Sequence, residues 1–145
     1  ANHLSNNISA YTICSAVTQA CPSADGSLHP VTGSPFSLSG GANGPGPVTV
    51  DPFGNYLYVV DTLSNQVSTF HISPVSGSLS GGNPPVVATG LSPASIAIRS
   101  DNSWLFVTNY QSATLSQYSI TPASGALTPL SATTTDNYPW GVAVK

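Results

Sequence analysis

The 145-residue sequence predicts an all-β fold of four-stranded antiparallel sheets, the blades of a partial or open propeller. Three observations carry this. First, the chain repeats itself without a gap at a shift of 48 residues. Pro45, Val48, Val50, Tyr56, Leu57, Tyr58 and Val59 recur as Pro93, Ile96, Ile98, Trp104, Leu105, Phe106 and Val107. The match runs on through Val67, Phe70, Ile72, Gly77 and Leu79 to Leu115, Tyr118, Ile120, Gly125 and Leu127. Second, apolar and polar residues alternate within each copy, which is the period of a strand, and no segment sustains a helical period. Third, 13 Gly and 13 Pro punctuate the alternating runs, as turns between short strands require.

The elements follow in chain order. The N-terminus reads as the end of a blade, because Asn2–Ile13 matches Asp61–Ile72. Ile8–Ile13 is then a third strand and Leu28–Val31 a fourth, with an insertion at Cys14–Gly26 between them. A complete blade over 45–92 places its strands at Val48–Asp51, Tyr56–Val60, Val67–Ile72 and Val86–Ala88. A second, over 93–138, places them at Ile96–Arg99, Trp104–Thr108, Leu115–Ile120 and Leu127–Leu130. Residues 139–145 restart the pattern, with Val142–Lys145 as the first strand of a further blade. Asp25-Gly26 and Ser76-Gly77 mark hairpins, where Gly adopts positive φ without a Cβ clash. Leu57 and Val59 face one side of their strand and Tyr56 and Tyr58 the other, so both faces are expected to pack between blades.

Composition narrows the partners. Charged residues make up 5% of the chain, against roughly 25% in ordinary soluble domains. Only Arg99 and Lys145 are cationic, too few to displace counterions from nucleic-acid phosphates. No apolar run approaches the roughly 18 residues of a membrane helix, so membrane insertion is not expected. Cys14 and Cys21 read as a local disulfide, the other readings being two buried thiols or a metal pair. His3 and His29 are too isolated for the last. A disulfide points to an oxidising setting: extracellular, cell-surface or periplasmic.

In propellers, ligands meet the face formed by second-to-third and fourth-to-first connections. Those segments supply the candidates His3, Asp61, Asn109, Tyr110, Asp136, Asn137, Tyr138 and Trp140. His3 and Asp61 are the candidates for general base or acid. Asn2, Asp61 and Asn109 share one repeat position, where turn formers bonding their own backbone are expected. No metal cluster and no cofactor are expected, and the sequence holds neither a G-x-S-x-G elbow nor a phosphate loop.

The stretches "DPFGNYLYVVD" and "DNSWLFVTN" resemble the YVTN-type repeat. "VSTFHISPVSGSLS", "LSQYSITPASGALTPL" and "DGSLHPVTGSPF" resemble the closing halves of blades in lactonase-like seven-bladed propellers, related to bacterial 6-phosphogluconolactonase. The resemblance implies seven blades, whereas this chain holds two complete copies and parts of two others, and closure takes at least about four blades. A piece of a longer propeller is expected, or a short protomer that borrows a neighbour's strand. Either would offer open blade edges and loops to other subunits or to copies of itself. Phosphosugar hydrolysis needs cations for the phosphate, and the two present sit at the opposite end of the blades. The residues therefore favour a non-catalytic extracellular binding or assembly module. A lactone hydrolase with a site in the central funnel is the second expectation, and a structural repeat of a fibre or surface layer the third.

Overall fold

The computed structural model describes residues 1–17, 21 and 23–145. It is built of strands and one short 3-10 helix, His3–Ser5. The first 38 residues form two small antiparallel ladders. Strand β1 (Asn7–Ile8) pairs β4 (Phe36–Ser37), and β2 (Tyr11–Ile13) pairs β3 (Leu28–Pro30). The single third strand expected at Ile8–Ile13 is therefore broken at Ser9–Ala10. The Ala10 N–H donates to Ser34 Oγ at 3.1 Å, while the Ala10 carbonyl accepts from the Val31 N–H at 3.0 Å. The partner strand swings out through Gly33 (φ 91°) and rejoins only at Phe36.

The Cys14–Gly26 insertion is closed at its base by Cys14 N–H to Ser27 O and Gly26 N–H to Cys14 O, both at 2.9 Å. Cys14 and Cys21 form a disulfide, and both are buried. Residues 18–20 and 22 of the insertion lie outside the described residues.

Two four-stranded meanders follow. The central blade runs β5 (Pro45–Val50), β6 (Tyr56–Asp61), β7 (Gln66–Ile72) and β8 (Leu79–Ala88). The last blade runs β9 (Pro93–Ile98), β10 (Trp104–Asn109), β11 (Thr114–Thr121) and β12 (Ala126–Pro129), with β13 (Thr133–Thr134) also on β11. Strand β8 is longer than the expected Val86–Ala88. Its extra residues form a bulge, since Ser68 pairs with Val86 but Phe70 with Gly81. Val142–Lys145, expected as a first strand, forms none. A strand needs a neighbour for its backbone groups, and no described segment lies beside it to pair.

Alternation along β6 divides the core in two. Tyr56, Tyr58 and Val60 point towards the last blade and pack with Leu105, Val107, Tyr118, Ile120 and Leu127. Leu57 and Val59 point the other way and pack with Ile8 and Phe70. The buried phenols are satisfied across the seam: Tyr56 donates to the Ala123 carbonyl (2.9 Å) and Tyr58 to the Gly125 carbonyl (3.0 Å). Burial, with the Asp51 charge adding to it, pushes the Tyr58 phenol well above its ordinary range.

At the far end of the blades, Asp51 caps the β5–β6 turn by accepting from the N–H groups of Asn55 (2.6 Å) and Tyr56 (2.7 Å). Its counterpart turn in the last blade carries an exposed Arg99–Asp101 ion pair at 3.3 Å.

Candidate functional site

The opposite end of the blades gathers the second-to-third joints and the links from each blade to the next. Each joint places one residue in the left-handed region: Asn6 (φ 51°), Asn65 (φ 56°) and Ala113 (φ 51°). Each link does the same at Gly44, Ser92 and Tyr138. Asn tolerates this conformation better than most residues and brings a side-chain acceptor to it. Asn6 Oδ1 accepts from the Gly44 N–H at 2.9 Å, and Asn65 Oδ1 from the Ser92 N–H at 2.8 Å. Twice, then, an asparagine pins the link to the joint. At the third joint Ala113 has no such oxygen.

The unpinned link is where aromatic side chains collect. Tyr138 and Trp140 are 61% and 72% exposed, and both pack on Tyr110, with ring centroids 4.9 Å and 5.2 Å apart. Tyr110 and Trp140 wall a cavity of about 430 Å³ together with Leu63, Pro47, Pro93 and Ala94; Thr62 and Ser92 also line it, the Thr62 hydroxyl donating to the Gly44 carbonyl at 2.8 Å. Of the sequence candidates, the structure thus brings Tyr110, Tyr138 and Trp140 together. It leaves Asp136 and Asn137 on the exposed loop beside them. Leu63, Pro47 and Pro93 were not legible as lining residues; Leu63 belongs to the joint "DTLSNQ", which was the available signal.

Asp61 and Asn109 lie elsewhere. Both are fully buried, and neither lines the Tyr110–Trp140 cavity. Their side chains do not bond their own turns, as turn formers would, but reach across to the neighbouring strand. Asp61 Oδ2 accepts from Ser68 Oγ at 2.6 Å. Asn109 Nδ2 donates to Ser116 Oγ at 2.8 Å and to Thr114 Oγ1 at 3.0 Å. Asn2 Nδ2 donates likewise to Ser9 Oγ at 2.8 Å. The repeat therefore encodes an Asx–Ser clasp between second and third strands. Burial raises the Asp61 carboxyl to about 6, and the Ser68 hydrogen bonds offset this only in part. Asp61 Oδ1 and the opposing Gln66 Nε2 find no hydrogen-bond partner.

His3 is exposed in the 3-10 turn, its ring beside Gly44, where Leu63 also packs. Among the described residues no three His, Cys, Asp or Glu side chains come close enough together to hold a metal ion.

Residues 1–144 match the family described as Lactonase, 7-bladed beta-propeller. The chain belongs to this family. Solved structures share the fold at low identity. A putative 6-phosphogluconolactonase from Bacteroides fragilis superposes with a TM-score of 0.79 at 22% identity, covering 97% of this chain and 36% of its own. The periplasmic gluconolactonase of Pseudomonas aeruginosa gives 0.77 at 21% identity, covering 95% and 36%. A functionally unknown protein from Desulfotomaculum acetoxidans gives 0.70 at 23% identity, covering 90% and 36%. This lactonase-family chain thus spans about a third of the length of these structures. No curated protein matches it.

The cations of this lactonase-family chain keep away from the cavity. Neither Arg99 nor Lys145 lines it, and Arg99 is paired with Asp101 at the far turn. No lining residue is charged. The described residues hold no helix long and apolar enough to cross a membrane.

Proposed function

We propose that the chain forms part of a lactonase-type propeller whose Tyr110–Trp140 cavity binds an uncharged, polyhydroxylated ring such as an unphosphorylated sugar lactone. The single observation that carries this is an aromatic-walled cavity with no charge in its lining. Aromatic faces stack against the apolar face of a sugar ring, while the hydroxyls of Ser92 and Tyr110 can orient its oxygens. A phosphorylated ring would bring about two negative charges to a site with no cation to meet them.

The Cys14–Cys21 disulfide supports an oxidising location, periplasmic or extracellular, and one structural relative is a periplasmic gluconolactonase. The cavity lining contains neither carboxylate nor imidazole. That favours a second reading, in which the site binds its ring without opening it.

Titration of the chain with δ-gluconolactone and with its 6-phosphate, followed by tryptophan fluorescence, tests the binding. The neutral lactone is expected to shift the emission saturably, and Trp140→Ala to abolish the shift. Tighter binding of the phosphate, or an unchanged shift in Trp140→Ala, would sink the proposal. A pH-stat assay on the same samples separates turnover from binding.

A further inference from the structure

The link from the first ladders to the central blade carries the one asparagine in the sequence that precedes a glycine, in "ANGPG" at Ala42–Gly46. Asn43 is exposed and Gly44 is buried. A glycine in that place has no Cβ to keep its backbone nitrogen away from the preceding side-chain carbonyl. The other asparagines are followed by larger residues. Those at the joints are also engaged: Asn2, Asn6, Asn65 and Asn109 all hold hydrogen bonds through their side chains. Asp25-Gly26 has the same spacing but poorer chemistry. Hydrogen bonds from Ser23 and Ser27 hold the Asp25 carboxyl well below the ordinary carboxylate range. An ionised carboxylate with both oxygens occupied resists a nucleophile, whereas the Asn43 amide is neutral.

The nitrogen that would attack is the one the joint pins. The Gly44 N–H donates to Asn6 Oδ1 at 2.9 Å. Gly44 is held in the left-handed region (φ 67°), with Leu63 and His3 packed beside it. The hydrogen bond must break before the nitrogen can turn towards Asn43 Cγ, so the pin that fixes the link also slows its chemistry. The two carbonyls of the same dipeptide reach the candidate site. The Asn43 carbonyl accepts from the Leu63 N–H at 3.2 Å. The Gly44 carbonyl accepts from the Thr62 N–H at 2.9 Å and from the Thr62 hydroxyl at 2.8 Å. Thr62 and Leu63 line the Tyr110–Trp140 cavity.

We propose that Asn43 is a site of spontaneous deamidation and that the hydrogen bond from Gly44 to Asn6 sets its rate. Hydroxide removes the Gly44 N–H proton, and the nitrogen forms a bond to Asn43 Cγ. The Cγ–Nδ2 bond breaks, and the side-chain nitrogen leaves as ammonia with one proton taken from water. Water then opens the cyclic imide at either carbonyl, giving aspartate or isoaspartate, with no oxidation or reduction. In isoaspartate the main chain runs through Cβ and Cγ. The former Asn43 carbonyl becomes a free carboxylate, and the chain gains a methylene before Gly44. The rungs to Leu63 and Thr62 lose their register, so this wall of the cavity loosens whatever the cavity binds.

The test ages the intact chain in mildly alkaline buffer and maps its peptides by mass spectrometry. Product is expected at Asn43 ahead of every other asparagine, in part as isoaspartate, and more slowly than in a free peptide of residues 41–47. Asn6→Ala copies Ala113 of the last blade and should speed conversion roughly tenfold, the effect of one lost hydrogen bond. Asn6→Asp keeps an acceptor and should leave conversion slow. Asn65→Ala removes the equivalent pin at Ser92 and should leave the rate unchanged, which separates the local pin from general loosening. In the purified isoaspartyl protein, amide exchange at Thr62 and Leu63 should quicken at least about tenfold. No product once the free peptide has fully converted, earlier conversion at another asparagine, or equal rates in Asn6→Ala and the parent would each overturn the proposal. Equal acceleration by Asn65→Ala would overturn the assignment to Asn6. Unchanged exchange at Thr62 and Leu63 would overturn the loosening of the wall.

Discussion

The central and last blades align without a gap, yet three aligned pairs of residues behave differently: Gly77 and Gly125, Asp61 and Asn109, Asn65 and Ala113. The backbone is the same in all three pairs. For the glycines what differs is what stands across the seam; for the other two pairs it is the side chain itself. Gly125 lies on the ring of Tyr56, whereas Gly77, in the same left-handed turn, has open space before Val31 at 3.5 Å. Asn109 is a neutral amide in a buried clasp, while Asp61 brings a carboxyl to the same clasp. Asn65 pins the next link and Ala113 leaves it free. The scaffold is thus set by the repeat, and individuality by single side chains at its ends.

The largest effect should separate the two glycines. Both have positive φ, 69° at Gly77 and 65° at Gly125, so an alanine at either position carries left-handed strain of about 1–2 kcal/mol. Only at Gly125 does the new Cβ also collide with the Tyr56 ring, adding about 1–3 kcal/mol of overpacking. Urea unfolding should therefore show Gly125→Ala losing clearly more stability than Gly77→Ala. Equal losses would mean that Tyr56 does not fill that seam in solution.

The carboxyl of Asp61 should come next. Its folded-state value, about 6, lies above the ordinary value near 4, so the folded protein prefers it neutral. That contribution is fully present below about pH 4 and is lost as pH rises through about 6. Above that range the ionised, buried group costs about 3 kcal/mol. Asp61→Asn copies the last blade's amide and keeps an acceptor for Ser68. It should raise stability near pH 7.5 by about 1–3 kcal/mol and flatten the pH dependence between 4 and 6. A variant as pH-sensitive as the parent would assign that dependence to another group.

The blades were legible in the sequence because strand pairing and inter-blade packing are written in local alternation, which Tyr56, Leu57, Tyr58 and Val59 repeat at a fixed shift. The break at Ser9–Ala10 was not, because it depends on Ser34, 24 residues away, capturing the Ala10 N–H. The aromatic candidates could be placed on the right connections, since Tyr110 and Tyr138 stand at repeat positions. What the pattern could not show is that Asp61 is turned into the blade and away from the cavity. The same alternation governs it, but the clasp to Ser68 is a contact between strands, invisible in either strand alone. Leu63 and Pro93 escaped for a similar reason: they line the cavity through the meeting of two blades.

The smallest effect concerns the third pair and bears directly on the candidate site. Ala113 holds φ 51° without the side chain that makes Asn comfortable there. Its carbonyl still accepts from the Thr135 N–H at 2.9 Å, as the Asn65 carbonyl does from Thr89. The joint therefore already has the shape of its pinned counterpart and lacks only the acceptor for the Tyr138 N–H. Tyr138 waits at φ 60°, close to the 52° of Ser92. Ala113→Asn supplies that oxygen and should stabilise the chain by about 1 kcal/mol. It should also restrain Tyr138 and Trp140, which tryptophan fluorescence anisotropy and quenching by iodide would register as lower mobility and lower access. If the proposed lactone site needs these rings free to close on a ligand, its affinity should fall as stability rises. If it needs them held in place, affinity should rise with stability, because less ordering is left to the ligand. The reverse exchange, Asn65→Ala, should loosen the Ser92 link, whose carbonyl accepts from the Tyr110 N–H at 2.9 Å, so it should weaken lactone binding from the Ser92 side of the proposed cavity.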